Sequence, residues 1–410
     1  MTATKTGPLK GMRVLDLSHV MAGPVCGLML ADMGAEVIKV EKIGSGDDTR
    51  RMVPPLINGE AAAFMMMNRN KRGIAIDMKS PGGKDVLKRL VAKADVLIEN
   101  YRHDTMQRLG LGYEVLKAVN PGLIYCEISG FGRSGPWGEQ GGFDLVAQGM
   151  SGLMSVTGEG AGRAPVKVGA PLTDITAGIL SAMGVCAAYA HKLKTGEGQR
   201  VDTSLFEAGI TQTYWQSAIA FATGIAPIPL GSAHPLSAPY QAFETKDGWL
   251  NLGASNQKLW LQFIALLDDP SLGTDPRFKD NFARMGNLPA LIEVLSVHFK
   301  KRTTAEWLTA LEKAGVPAGP VLSITEMHAH PQAIARQMVP TVTHPKAGKM
   351  QTIGLPVKFS ETPGKVETAA PLLGQHTREV LAEIGYSAHE IDDLLANGAV
   401  GTTDLPAAAE

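Results

Sequence analysis

Between Met12 and Lys42 the chain alternates a β-rich run, MRVLDLS, a small apolar helical stretch, VCGLMLADMGA, and a second β-rich run, EVIKVEK. Two apolar strands separated by a helix-length segment pair in parallel, because a strand that returns in the same direction needs a crossover. The pattern repeats at once. GIAIDM reads as a strand, Ser80 and Pro81 as N-cap and first helical position, KDVLKRLVAKA as an amphipathic helix, and DVLIEN as the next strand. LIYCEISGFG, from Leu123, supplies a further strand. This alternation predicts an α/β fold whose large domain is a Rossmann-like parallel sheet covered on both faces, with a ligand at the carboxyl ends of its strands.

A long helix is expected from Thr173 to about Lys194, closed by basic residues and Gly196. It is followed by the strand QRVDT and a helix opened by the capping box Ser204 to Glu207. Pro227, Pro229, Gly231, Pro235 and Pro239 then crowd the stretch from Gly224 to Tyr240, which marks a domain change and an exposed or mobile segment. Beyond it, QAFET, the turn Lys246-Asp247-Gly248 and WLNLG predict a hairpin, followed by helices around Lys258 to Leu267, Leu288 to Phe299 and Thr304 to Ala314. The expected division is a large domain over residues 1–224, a smaller α+β domain over 225–325, and a C-terminal segment, 326–410, that returns to the large domain. The last of these ends in two helices, HTREVLAEIG and AHEIDDLLANG.

At 44% hydrophobic and 19% charged, 410 residues hold enough apolar material for two domains. The formal net charge of -1 argues against nucleic-acid or anionic-membrane partners, so any polyanionic ligand must be met by local cations. Cys26, Cys126 and Cys186 lie scattered in apolar stretches, which suggests neither disulfides nor zinc, and a reducing cytoplasm fits best. The ten histidines show no metal-ligand spacing, so no metal is expected. The first ten residues lack a signal-peptide pattern, and the apolar run around Ala177 to Ala190 is short and rich in small residues, so no membrane span is expected either.

Asp174 lies in PVKVGAPLTDITAGILSAMGV, at the start of the long apolar helix and after a proline- and glycine-broken loop. An aspartate there suits an N-cap. A desolvated carboxylate beside a thioester is equally a competent nucleophile, and helix N-terminal dipoles would keep it ionised. The local pattern leaves both readings open.

LDLSHVMAGPVCGLMLADMGAEVIKVEK, NRNKRGIAIDMKS, ADVLIENYR with Leu109-Gly110, ISGFGRSGP, the segment around Asp174, GSAHPLSAPYQAFETKDGWLNLG, GVPAGPV and PLLGQHT follow one another from about Lys10 to about Gly398. In order and spacing they resemble the class III CoA-transferase family (CaiB/BaiF type), nearest to its succinyl-CoA:dicarboxylate branch. The resemblance implies that Asp174 is the nucleophile and that it carries coenzyme A as an aspartyl thioester between a donor acyl-CoA and an acceptor carboxylic acid. No permanently bound cofactor is implied, since the CoA thioester is a substrate. An interlocked homodimer is implied as well.

Carried over residue by residue, the CoA contacts fall on His19, Val20, Met21 and Ala22 after the first strand and on Lys42 after the second. Ile76 and Lys79 follow the third, Asn100, Tyr101, Arg102 and Arg108 the fourth, and Gly141, Gly142, Phe143 and Asp144 precede a helix. Lysine at 42 supplies a point charge where relatives often carry the arginine fork. Each basic residue alone reads as a solvated surface charge; their common place after strand ends suggests phosphate binding. Gly231, Ser232, His234 and Ser237 occupy the place of a glycine-rich active-site loop, with fewer glycines than relatives have. Asp144 reads equally well as a helix cap.

Three competing readings remain. CoA-thioester racemases of the same fold place a catalytic histidine where this chain has Phe143, and phenylalanine transfers no proton. A nicotinamide-dependent oxidoreductase would want GxGxxG, but AGPVCGLMLADMGA has the wrong spacing. A non-catalytic CoA-binding protein would not need Asp174. Ser134 has no GxSxG elbow around it, Cys186 reads as core and His376 as structural.

Overall fold

The computed structural model describes residues 6–403. Its contacts divide into two compact units. The first takes the chain through Ser151, Val168–Gln212 and everything from Pro331; the second takes Gly152–Lys167 and Thr213–His330. The change expected at residue 224 thus falls at 212, because the helix Tyr214–Thr223 and the stretch 152–167 both belong with the second unit.

The first unit is built on a seven-stranded sheet: β1 (Arg13–Asp16), β2 (Glu36–Glu41), β3 (Lys71–Ile76), β4 (Val96–Glu99), β5 (Ile124–Ser129), β6 (Arg200–Ser204) and β7 (Val400–Gly401). The spatial order is β7-β3-β2-β1-β4-β5-β6. All neighbours run parallel except β7, which pairs antiparallel with β3, Val400 opposite Ile76. Strands β1 to β6 therefore follow the doubly wound order 3-2-1-4-5-6, whose direction of winding reverses between β1 and β4. That reversal leaves a crevice at the carboxyl ends of β1 and β4, because their crossover connections leave toward opposite sides. In the middle of the sheet the strands are buried on both faces, which is why they read as apolar runs.

Helix α1 (Ala22–Asp32), α2 (Pro81–Ala92), α3 (Asp144–Met150), α4 (Leu172–Thr195) and α5 (Leu205–Thr211) complete the part that matters for the site. Ser80 caps α2 as expected, accepting from the Gly83 N–H at 3.0 Å, and Ser204 caps α5 through the Glu207 N–H at 3.1 Å. Helix α4 runs 24 residues, longer than the apolar stretch seen in the sequence, and by length and hydropathy alone would cross a membrane. Instead it buries Ala177, Gly178, Ser181, Ala182, Val185 and Ala188 in the same core as α1 and β5. A Cβ on Gly178 would stand 2.5 Å from the Ala22 carbonyl oxygen and 2.8 Å from Val25 Cβ. Only glycine lets α4 approach the first turn of α1 this closely, and that approach puts the two helix N-termini side by side.

The second unit has a three-stranded antiparallel sheet in the order Ala318–Pro320, Trp249–Gly253, Tyr240–Glu244. The expected hairpin is present, with Glu244 opposite Trp249. Its core stacks Phe243 and Phe263 on Phe299, at ring separations of 4.5 and 5.6 Å, with Trp260 and Trp307 beside them. The segment 231–237 is bound at nearly every step. The Gly231 N–H donates to Gly158 O at 2.9 Å, Ser232 Oγ accepts from Ala242 N–H at 3.0 Å, and Ser237 Oγ donates to Ser255 O at 2.8 Å. His234 stands edge-on between Trp215 and Tyr240, and its Nδ1 accepts from Leu236 N–H at 3.1 Å. Prolines and side-chain acceptors here do the fixing that the glycine count did not suggest.

Candidate active site

At the carboxyl end of β1 the chain turns through His19 and Val20 into α1. Val20 has φ 68°, a left-handed conformation that a β-branched residue adopts only when its surroundings impose it, at a cost of about 1–3 kcal/mol. Three anchors impose it. Asn100, the first residue after β4, accepts from the His19 N–H through Oδ1 at 2.8 Å and donates to the His19 carbonyl through Nδ2, also at 2.8 Å. Asp47 Oδ1 accepts from the Val20 N–H at 3.2 Å. Lys39, wholly buried on β2, donates to the Ser18 carbonyl and pairs with Asp47 Oδ2 at 2.9 Å. One asparagine thus stitches together the two strand ends that flank the crevice.

The crevice holds a cavity of about 420 Å³. His19, Val20, Met21 and Ala22 wall it on one side, Asn100, Tyr101 and Arg102 on another, Gly141, Gly142 and Phe143 on a third, and Asp174 reaches it from α4. These eleven residues, separated by up to 155 positions in sequence, line one cavity. The close approach of the 130 and 142 loops explains one of the glycines: a Cβ on Gly142 would lie 2.6 Å from Gly130 Cα, whereas Gly141 has nothing within 4 Å. Burial first, and the Lys39 charge after it, push the His19 imidazole below its ordinary value against the opposing pull of Asp47.

The other nominated residues lie elsewhere. Ile76 is a core residue under the β7 pairing, only 1% exposed, and so has no surface to offer a ligand. Lys42, Lys79 and Arg108 are exposed and line no part of the cavity, Arg108 lying 3.2 Å from Asp104 in an exposed pair. Arg133 was missed. It follows the end of β5 within the segment ISGFGRSGP and lines the cavity wall, and the same after-strand placement that singled out Arg102 would have found it.

Asp174 is not the N-cap. Pro171 holds that position, and Asp174 sits in the first turn with no capping hydrogen bond of its own. The capping carboxylate comes from α3. Asp144 Oδ1 accepts from both the Thr173 N–H, at 2.9 Å, and Thr173 Oγ1, at 2.8 Å. Asp144 therefore caps α4, not the helix it begins, and each such charge-assisted bond contributes about 1.5–3 kcal/mol. Gln148, one turn further along α3, donates to Asp144 Oδ2 at 2.8 Å and accepts from the Val168 N–H at 2.8 Å. The loop that delivers Asp174 is thus clamped at both ends from one helix. Burial, and after it the negative field of Asp144, push the Asp174 carboxyl up to about 7. This direction runs against the expectation that the helix dipole keeps the carboxylate ionised.

A half-buried carboxyl, at a helix N-terminus beside a second helix N-terminus, on the crevice of a doubly wound sheet, has the makings of a nucleophile whose reaction develops negative charge. Comparison with known proteins decides the family. The sequence profile described as CoA-transferase family III matches residues 9–377.

The chain belongs to CoA-transferase family III.

Succinyl-CoA:glutarate CoA-transferase of Mus musculus is 38% identical to this family III enzyme over 395 residues, covering 96% of this chain and 90% of the mouse protein. Succinate–glutarate CoA-transferase of Agrobacterium fabrum is 40% identical over 383 residues, covering 92% and 96%. A crystal structure of a CaiB/BaiF family protein from Brucella suis matches with a TM-score of 0.82 at 38% identity, over 93% of this chain and 100% of that one. The large parallel-sheet unit is that family's fold, and the chain is an enzyme that transfers CoA between an acyl-CoA and a carboxylic acid.

Proposed function

We propose that this enzyme moves coenzyme A from succinyl-CoA to a short dicarboxylic acid through an aspartyl-CoA thioester on Asp174. The supporting observation is the placement of Asp174: a carboxyl of raised pKa, free of capping duty, lining the cavity between the ends of β1 and β4. Its carboxylate oxygen attacks the thioester carbonyl, the C–S bond breaks, and CoA leaves as thiolate, giving a succinyl-aspartyl anhydride. The thiolate then attacks the aspartyl carbonyl and expels succinate. The acceptor carboxylate attacks the aspartyl thioester, releasing CoA thiolate to take up the new acyl group. Anhydride and thioester lie close in energy, so acyl activation is conserved. The dicarboxylate preference rests on the succinyl- and glutarate-handling relatives.

The experiment is intact-protein mass measurement after incubation with succinyl-CoA, with hydroxylamine trapping. The expected result is a CoA-sized adduct whose trapped peptide contains Asp174, discharged by glutarate; an unmodified protein with several acyl-CoA donors would sink the covalent mechanism. The racemase reading gains nothing from the geometry, since Phe143 stands 73% exposed on the cavity wall with no proton to transfer.

The protein is further proposed to act as a homodimer, interlocked as the resemblance implies, in a reducing cytoplasm. In support, helix Tyr214–Thr223 buries none of its own residues and exposes Tyr214, Trp215 and Phe221, an apolar surface of the kind a second copy covers. Sedimentation at micromolar concentration is expected to give twice the chain mass; the mass of one chain would refute it. For the compartment, Cys26 and Cys126 are buried free thiols. A reporter fusion imaged in the source cell is expected to stay in the cytoplasm, and export would refute that.

A further inference from the structure

Arg133 has no assigned role, yet its guanidinium bridges β4 and β5 and its backbone N–H reaches β6. Its Nη2 donates to the Tyr101 carbonyl at 2.8 Å and lies 3.4 Å from Glu99 Oε1, the last residue of β4. Its Nε is 3.6 Å from Glu127 Oε1 on β5. The backbone N–H of the same residue donates to Asp202 Oδ2 on β6 at 3.1 Å. Glu127 is held in turn by Arg200 Nε at 2.8 Å, and Glu99 Oε2 accepts from the Tyr101 N–H at 2.7 Å. The peptide groups on both sides of Tyr101 are therefore fixed by Arg133 and its partner Glu99. Tyr101 adjoins Asn100, whose side chain holds the His19 peptide, and His19 enters the strained Val20 turn. The arginine side chain lines the cavity yet is only 11% exposed, so most of it is engaged by protein groups.

We propose that Arg133 is a positioning residue for CoA binding, holding the Asn100–Arg102 loop, and through it the His19–Ala22 turn, in the shape that receives the coenzyme. The proposal rests on the cavity being the CoA site. A guanidinium is suited to the task because one planar group reaches a carbonyl and two carboxylates at once, which an ammonium does not. Binding pays in advance for an ordered loop, so loosening it weakens affinity for CoA while leaving the attack on a bound thioester intact.

Glu99 faces Arg133, Glu127, Arg200, Tyr125 and the phenol and N–H of Tyr101, and Arg102, His103 and Asp104 line the same small cavity. Burial first, and Glu127 after it, push the Glu99 carboxyl up to about 7 against the opposing pull of Arg133 and the Tyr101 N–H. Its ionised form pairs with Arg133, so the loop is best held above that value.

The test uses the full-length enzyme. Arg133→Gln is expected to raise the KM for succinyl-CoA and the Kd for CoA about tenfold while changing kcat no more than about twofold. Arg133→Lys is expected to recover about threefold of that loss. In the wild type the KM for succinyl-CoA rises as pH falls through about 7, and in Glu99→Gln that rise disappears. Wild-type CoA affinity in Arg133→Gln, a lysine no better than glutamine, or a loss that merely follows a lowered melting temperature would each overturn the proposal. Failure of the underlying site assignment has a separate signature: Asp174→Ala would still form the CoA adduct.

Discussion

Asp174→Ala is expected to lose about a thousandfold or more in kcat, and all of the CoA adduct, without losing the fold or the ability to bind CoA. No hydrogen bond of the α4 cap depends on this side chain, because Asp144 caps the helix through Thr173. The carboxyl is in fact an unfavourable occupant. Its folded pKa, about 7, lies above the ordinary value, so the folded protein holds the proton to higher pH than the unfolded chain does. For a raised acid the sign is fixed: stability falls as pH rises from about 4 through about 7 and stays lower above it. Asp174→Ala lacks that slope and is expected to melt at or above the wild-type temperature at pH 8. Loss of activity joined to unchanged or increased stability is the mark of a group kept for chemistry.

The same pKa sets the rate profile. On the proposed mechanism only the ionised carboxyl attacks, so in Glu99→Gln, where the KM no longer titrates, kcat/KM for succinyl-CoA is expected to rise about tenfold per pH unit below 7 and to level off above it. In Asp144→Asn the amide oxygen still accepts from Thr173 but the negative field is gone, and the midpoint is expected to move down. An alanine variant that keeps a tenth of the activity, or an asparagine variant with an unmoved midpoint, would contradict this account.

Much of this site was legible in the chain because parallel strands announce themselves. Runs such as VLIEN and LIYCEIS place Asn100 and Ser129 at strand ends with little ambiguity, and ligands gather there. Asp174 was legible as one of two things, and the three-dimensional cap from Asp144, 30 positions earlier, removes the N-cap reading. The short strand β7 left no trace, since two residues carry no periodicity. Its pairing turns Ile76 from a ligand contact into a buried edge. Lys39 and Lys71 were the least visible of all. Each sits in a strand whose alternation suggests an outward, solvated charge, and the partners that make burial tolerable lie elsewhere in the sequence.

Those partners form the second site where a single change is expected to be costly. Lys39 and Lys71 are 0% exposed, Lys71 pairs with Asp16 at 2.8 Å, and Lys39 lies 3.8 Å from Asp16 and 2.9 Å from Asp47. Burial works against Asp47's charge, yet Lys39 and the Thr49 N–H hold its carboxyl well below the carboxylate range. Lys39→Met keeps the stem and removes the charge, leaving Asp47 in the interior with no ion-pair partner within 4 Å among the described residues. Such a break costs about 3–5 kcal/mol, against about 0–1 kcal/mol for an exposed pair. The sign is again fixed. A depressed acid stabilises the fold above its unfolded value and loses that contribution as pH falls through the folded one. Once Lys39 is gone, Asp47 has to take up a proton to stay buried, which is easier in acid. The deficit in urea unfolding is therefore expected to be largest at pH 7 and to shrink toward pH 5, the opposite of what a simple packing defect would give. Because Asp47 and Lys39 also hold the Val20 N–H and the Ser18 carbonyl, the variant's KM for succinyl-CoA should rise with the loss of stability. A loss under about 1 kcal/mol, or one independent of pH, would show that this buried network is filler, not the frame of the His19–Ala22 turn.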